Sequence, residues 1–172
     1  EKNDLCDFPD LLLKFNDMLD KPDIIKKIRN TYKYTIVDEF QDTNDLQLEI
    51  VKKIIGKKQN LCVVGDDSQS IYAFRGANVN LIINLGKEFK KLKTINLEQN
   101  YRSTNTIIEA SNNLIENNKN RADKKIWTDN PKGKQITKIN GSEKFEEAKL
   151  VRKEIEKLKK ENIKTYMLTG DN

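Results

Sequence analysis

Tyr34-Thr35-Ile36-Val37-Asp38-Glu39 (YTIVDE) and Leu61-Cys62-Val63-Val64-Gly65-Asp66 (LCVVGD) are the two stretches on which the fold turns. Each is a short apolar run, rich in β-branched residues, that stops abruptly at an acid or a glycine, the pattern of a buried parallel strand. Between them Leu46 to Ile55 has helical spacing and stops at Gly56. Strand, helix, strand within about thirty residues is a βαβ unit. Its right-handed crossover places both strand C-termini on one sheet edge, where ligands bind in open α/β sheets.

Outward from this unit, residues 10 to 30 read as helix, with Leu11, Leu12, Phe15 and Leu19 on one face. A break falls near Pro22, and Ile24, Ile25 and Ile28 stripe a second short helix. On the other side, Leu81 to Phe89 is expected to be a helix, Thr94 to Leu97 a strand and Thr106 to Asn118 a helix. That last helix would carry Ile107, Ile108, Ser111, Leu114 and Ile115 on one face and a Thr106/Glu109 capping box. A looser stretch, 117 to 141, is punctuated by Pro131, Gly133 and Gly141 and reads as a linker or docking segment. Glu143 to Glu161 then has Ala148, Val151, Ile155 and Leu158 at helical steps, a packed surface helix rather than a coiled coil. No internal repeat is present. The fold class is therefore α/β.

With 172 residues, 36% hydrophobic and 34% charged, the chain is too polar for a membrane protein. No run approaches the roughly 18 apolar residues of a spanning helix, and EKNDLCDFPD has no signal-peptide pattern, so a cytoplasmic location is expected. Cys6 and Cys62 lack disulfide or zinc spacing. Histidine is absent, which removes Ser-His-Asp and Cys-His catalysis and histidine-held metals. Residues 117 to 138 hold seven Lys or Arg against two Asp, a formal +5 that equals the net charge of the whole chain. Such a stretch is either a solvated lysine-rich connector or a polyanion contact. Arginine is scarce: Arg29, Arg75, Arg102, Arg121 and Arg152 are the only five.

Three segments carry chemistry. Asp38 and Glu39 follow a strand, where one carboxylate can hold Mg²⁺ on a nucleotide and the other orient or deprotonate a water; the same pair also suits a solvated turn. Gly65 to Gly76 (GDDSQSIYAFRG) sets polar groups beside aromatics. There Gln69 can sense a terminal phosphate, Tyr72 and Phe74 either stack on unpaired bases or lie in the core, and Arg75 can reach a phosphodiester. Leu97 to Thr104 (LEQNYRST) combines an aromatic with Arg102, either an ion-pair partner or a stabiliser of charge on a transferring phosphoryl group.

VDEFQDTN (37 to 44), VVGDDSQSIYAFRGA (63 to 77) and LEQNYRST (97 to 104), in that order and spacing, resemble motifs II, III and IV of the UvrD/Rep/PcrA branch of superfamily 1 DNA helicases. The similarity runs from Asp7-Phe8-Pro9-Asp10-Leu11-Leu12 through Asn120-Arg121 and Ile126-Trp127-Thr128 to about Val151. The resemblance implies a partial RecA-like (P-loop NTPase) parallel sheet with flanking helices. Residues 1–102 would form the C-terminal part of the first motor domain and 103–172 the start of a second RecA-like domain. It implies ATP and Mg²⁺ as cofactors, single-stranded and duplex DNA as partners together with the remaining helicase domains, and no membrane. Asp38 would bind Mg²⁺, Glu39 would activate the attacking water, and Gln69 would contact the γ-phosphate and help couple it to DNA. Tyr72, Phe74 and Arg75 would belong to the single-strand track, Phe74 standing where many relatives have tryptophan. Tyr101 would pack against adenine and Arg102 would reach the γ-phosphate.

Two departures qualify the resemblance. The chain contains no Gly-x-x-x-x-Gly-Lys-Ser/Thr phosphate loop, so it is expected to be an internal fragment without ATPase activity of its own. A non-catalytic nucleic-acid-binding or protein-docking module built on motor-like sequence is the alternative expectation. Residues 165–172 stand where relatives have a strand running into Tyr-Arg-Thr-Asn. MLTGDN (167 to 172) instead resembles a loop of haloacid-dehalogenase-type ATPases, whose Asp-Lys-Thr-Gly nucleophile setting is missing here.

Overall fold

A computed structural model describes residues 6–165, which divide into two compact units. One takes the described residues up to Gln99 together with Ser111–Trp127; the other takes Asn100–Ala110 with the described residues from Thr128 onward. The strand and the MLTGDN loop expected beyond Thr165 lie outside the described residues.

The first unit is the α/β part. Helix α1 (Phe8–Met18) starts on an Asp7/Asp10 capping box, each side chain accepting from the other's backbone N–H, with Pro9 in the first turn. Helix α2 (Pro22–Thr31) begins at Pro22, whose fixed φ suits a helix start and whose missing N–H is not needed there. Strand β1 (Thr35–Val37) pairs in parallel with β2 (Leu61–Val63), Thr35 opposite Leu61 and Val37 opposite Val63. The crossover is α3 (Asp45–Ile55), capped by Asn44 and Gln47 in a second reciprocal box. At its C-terminal end Arg29 of α2 donates to the carbonyls of Lys53 and Ile54, supplying the orphaned acceptors with a cation. Gly56, at φ +53, lets that guanidinium lie against the backbone: a Cβ there would meet Arg29 Cζ at 2.7 Å.

Phe40, Leu48, Ile55, Leu85 and Phe89 form the core, with Val37, Leu61 and Val63 packed on it from one face of the sheet. The opposite face is open: Ile36 is 72% exposed and Cys62 is also exposed. The apolar runs at 34 to 37 and 61 to 64 read as strands buried on both sides, whereas the described residues provide a layer on one side only.

Three further expectations are corrected. Leu81 to Phe89 is broken into α4 (Asn80–Ile83) and α5 (Leu85–Glu88), because Asn84 closes α4 by donating both its backbone N–H and its side-chain amide to Asn80 O. Thr94 to Leu97 forms no strand. Ile95 and Leu97 are exposed, and among the described residues the pairing next to this segment is one parallel bridge, Gln99 to Trp127, with Trp127 N donating to Glu98 O. Helix α6 runs Asn105–Ile115, and of its expected apolar face only Ile108 is buried.

In the second unit, Asn100 Oδ1 accepts from the backbone of Arg102 and Ser103, folding the chain into a tight turn. Asn130 Nδ2 donates to the carbonyls of Tyr101 and Ser103. Thr106 does not cap α6: its hydroxyl exchanges hydrogen bonds with the backbone of Gly133, while Asn105 Nδ2 donates to Glu109. Helix α7 (Lys144–Lys160) forms where expected, but of its expected face only Ile155 and Leu158 are half-buried; Ala148 and Val151 are exposed, and Leu150 is half-buried instead.

Phe40 has no solvent exposure, so Phe40→Ala removes a side chain from the centre of the core and leaves a cavity. The expected loss is about 3–5 kcal/mol of unfolding free energy in denaturant titration.

Candidate functional site

The site forms where the two parallel strands end. Val64 N donates to Val37 O at 2.8 Å and Phe40 N to Val64 O at 3.0 Å, so the chain leaving β1 and the chain leaving β2 are stitched together just past the sheet. Asp38 and Glu39 occupy the first exit and are exposed. Asp38 Oδ1 accepts from Glu39 N at 2.9 Å, and Glu39 sits at φ +49, a left-handed conformation uncommon for a residue with a side chain. From there the chain enters a short 3-10 helix, Phe40–Asp42, which turns Phe40 into the core and Gln41 beneath the acidic pair.

Gln41, 2% exposed, spans the two exits. Its Nε2 donates to Glu39 Oε2 at 2.7 Å and its Oε1 accepts from Asp66 N at 2.9 Å. Gly65 makes the approach possible: a Cβ there would lie 2.8 Å from Gln41 Oε1 and 3.2 Å from Phe40 N. On the second exit Asp66 caps the turn Asp67–Gln69, its Oδ1 accepting from Ser68 N, while Gln69 Nε2 donates to Asp66 Oδ2 at 2.8 Å. Hydrogen bonds therefore run unbroken from the Glu39 carboxylate through Gln41 and Asp66 to the Gln69 amide.

Asp66 and the buried Asp67 are held by Lys124, whose ammonium bridges both carboxylates; Ala122 N adds a bond to Asp67 Oδ2 at 2.8 Å. Burial alone would raise the Asp66 carboxyl, but Lys124 and Gln69 outweigh it and hold it below its ordinary value. Burial likewise works against the Lys124 ammonium, and Asp66 and Asp67 outweigh it, so its pKa is raised. Lys124 belongs to the basic stretch 117 to 138, and its charge is already neutralised by two carboxylates.

Three and five residues beyond Gln69, Tyr72 and Phe74 present their rings to solvent with centroids 5.9 Å apart and planes tilted by 45°. The Arg75 guanidinium lies 5.1 Å from the Tyr72 ring and 5.4 Å from Phe74, within cation–π range of both. The rings are not core residues. Gly76, at φ +88, ends this turn. The second unit carries Tyr101 and Arg102, both exposed; Arg102 makes no ion pair among the described residues.

The structure thus brings Asp38, Glu39 and Gln69 to one sheet edge and puts Tyr72, Phe74 and Arg75 on the loop that continues from it. Reading residue types missed Gln41, Asp66 and Lys124. Gln41 and Asp66 lie inside the quoted motifs, flanking chemically more obvious neighbours. Lys124 sits 58 residues from Asp66, with no local signal to pair them.

An acidic pair and an amide thus stand at the exits of two parallel strands of an α/β unit, followed on the same loop by an exposed aromatic–guanidinium cluster. The profile of the UvrD/REP helicase N-terminal domain matches residues 1–90, and that of the UvrD-like helicase C-terminal domain matches 95–171. The chain belongs to the UvrD/REP helicase family. It is 40% identical over 167 residues to the ATP-dependent DNA helicase PcrA of Leuconostoc citreum, covering 96% of this chain and 22% of that protein. Against PcrA of Staphylococcus aureus strain Mu50 the identity is 41% over 157 residues, with 91% and 22% covered. DNA helicase II of Rickettsia typhi is 44% identical over 160 residues, with 92% and 24% covered. The chain therefore spans less than a quarter of the length of these relatives.

Lys124→Met leaves a buried Asp67 carboxylate without its cation, and the expected cost is about 2–4 kcal/mol of unfolding free energy at neutral pH. Because Asp66 titrates lower when folded, its contribution is present above about pH 3.9 and is lost as pH falls through the folded value. Lys124, raised on folding, contributes fully below about pH 10.4 and loses that contribution as pH rises through its folded value. The gap in stability between the unsubstituted protein and Lys124→Met should accordingly be widest between these limits and shrink below pH 4 in denaturant titrations.

Proposed function

We propose that this chain supplies the later part of the first RecA-like motor domain and the beginning of the second, divided near 102/103, of an ATP-dependent DNA helicase. The intact protein would translocate on single-stranded DNA and unwind duplex DNA, serving repair or replication in the cytoplasm. The observation that carries this reading is the continuity of one loop: Gln69 is bonded into the acidic strand exits, and three residues later the chain exposes Tyr72, Phe74 and Arg75. Nucleotide chemistry and strand contact then share a single short segment. The relatives' names, ATP-dependent DNA helicase and DNA helicase II, supply the class of substrate.

In this reading Glu39 takes a proton from the attacking water, and Gln69 contacts the γ-phosphate through its amide without adding charge. Mg²⁺, when bound, neutralises charge on the phosphates. Asp38 suits that role: its carboxylate is exposed, and one oxygen is braced by Glu39 N while the other remains for a ligand. Tyr101 would pack on the adenine and Arg102 on the γ-phosphate. Tyr72 and Phe74 offer faces for bases, and Arg75 a cation for a phosphodiester. Without a phosphate loop in its sequence, this chain by itself hydrolyses no ATP. A docking module that relies on the basic stretch has weaker support, because Lys124 is committed to Asp66 and Asp67.

In the intact protein, Glu39→Gln should lower ATP turnover by about 10²- to 10⁴-fold while equilibrium nucleotide binding persists; near-normal turnover would refute the assignment. Phe74→Ala should weaken single-strand binding in a salt-controlled titration by about 1–3 kcal/mol. Unchanged affinity would remove Phe74 from the DNA contact.

A further inference from the structure

We propose that Gln41 is a positioning residue that couples the water-activating carboxylate to the phosphate-sensing loop, so that movement of the segment Asp66 to Ser70 is felt at Glu39. The inference rests on the roles of Glu39 and Gln69 given above.

Both ends of the Gln41 side chain are committed, one to each strand exit. The donor end holds Glu39 Oε2 and the acceptor end holds the Asp66 amide. A neutral amide of this length supplies a donor and an acceptor in fixed relation, which neither a carboxylate nor an ammonium can do. Gln41 O also accepts from Ser70 Oγ at 3.3 Å, so one residue touches both ends of the loop that carries Gln69. Asp66 completes the path by accepting from Gln69 Nε2. The Glu39 carboxylate is otherwise exposed, and its hydrogen bond to a buried partner that is itself bonded to Asp66 N restricts where it can point. Displacing the loop must therefore drag that carboxylate or break a buried hydrogen bond.

A brace that only supported the fold would lower stability and ATP affinity when removed. A coupling residue would instead lower the response of hydrolysis to DNA. The test uses the intact protein. Gln41→Glu keeps an acceptor toward Asp66 N but loses the donor toward Glu39; Gln41→Met keeps length without either bond. ATP turnover is measured with and without a single-stranded oligo-dT, alongside the KM for ATP, oligo-dT affinity and thermal midpoint. The expected result is a fall in DNA-stimulated kcat of up to about a hundredfold, with KM and oligo-dT affinity within about twofold of the unsubstituted protein. Combining Gln41→Met with Gln69→Ala should cost little more than the worse single substitution, because both cut one path.

Unaltered DNA stimulation in a folded variant, full additivity in the double variant, or failure of both Gln41 variants to fold would each overturn the proposal. Glu39→Gln assayed in parallel separates the two levels. If Glu39→Gln is inactive while the Gln41 variants behave like the unsubstituted protein, only the coupling fails. If Glu39→Gln is active, the reading of the site itself fails.

Discussion

The join between two strand exits organises the first unit. Parallel strands end with their carbonyls and amides pointing toward neighbours that the sheet no longer supplies, and here Val64 N, Val37 O, Phe40 N and Val64 O satisfy one another. Gly65 permits the close approach, Phe40 anchors it in the core, and Gln41 closes it with a side chain. Side chains on either exit inherit their positions from this join.

Electrostatics then fixes the second exit. Asp66 and Asp67 are adjacent like charges, and Asp67 is buried, an arrangement that is costly unless a cation is shared between them. Lys124 provides it, so a residue far along the chain secures the turn that ends at Gln69. The loop is held by hydrogen bonds and an ion pair where it meets the acidic pair and is open to solvent where it carries Tyr72, Phe74 and Arg75.

The βαβ unit was legible because its determinants are local: the β-branched runs, the helical spacing of Leu46 to Ile55 and the stop at Gly56 act within a few residues of themselves. Helices α1, α2 and α7 were legible from apolar spacing and proline placement for the same reason. Thr94 to Leu97 reads as a strand from composition, but a strand is defined by its partner, and among the described residues Ile95 and Leu97 have no strand partner. Thr106 and Glu109 had the spacing of a box, but a tertiary bond to Gly133 claimed the hydroxyl. Asp38, Glu39 and Gln69 stood out as chemistry at strand ends, and Tyr72 and Phe74 could be assigned to the surface only from the structure. Gln41 and Lys124 act through partners that three-dimensional placement alone identifies.

The most direct measurement is an experimental structure of the intact protein holding a non-hydrolysable ATP analogue and single-stranded DNA. The account predicts that the Glu39–Gln41–Asp66–Gln69 path is retained, with Gln69 against the terminal phosphate and Phe74 against a base. Gln69 remote from the phosphates, or DNA running over another surface while Tyr72, Phe74 and Arg75 stay in solvent, would contradict it.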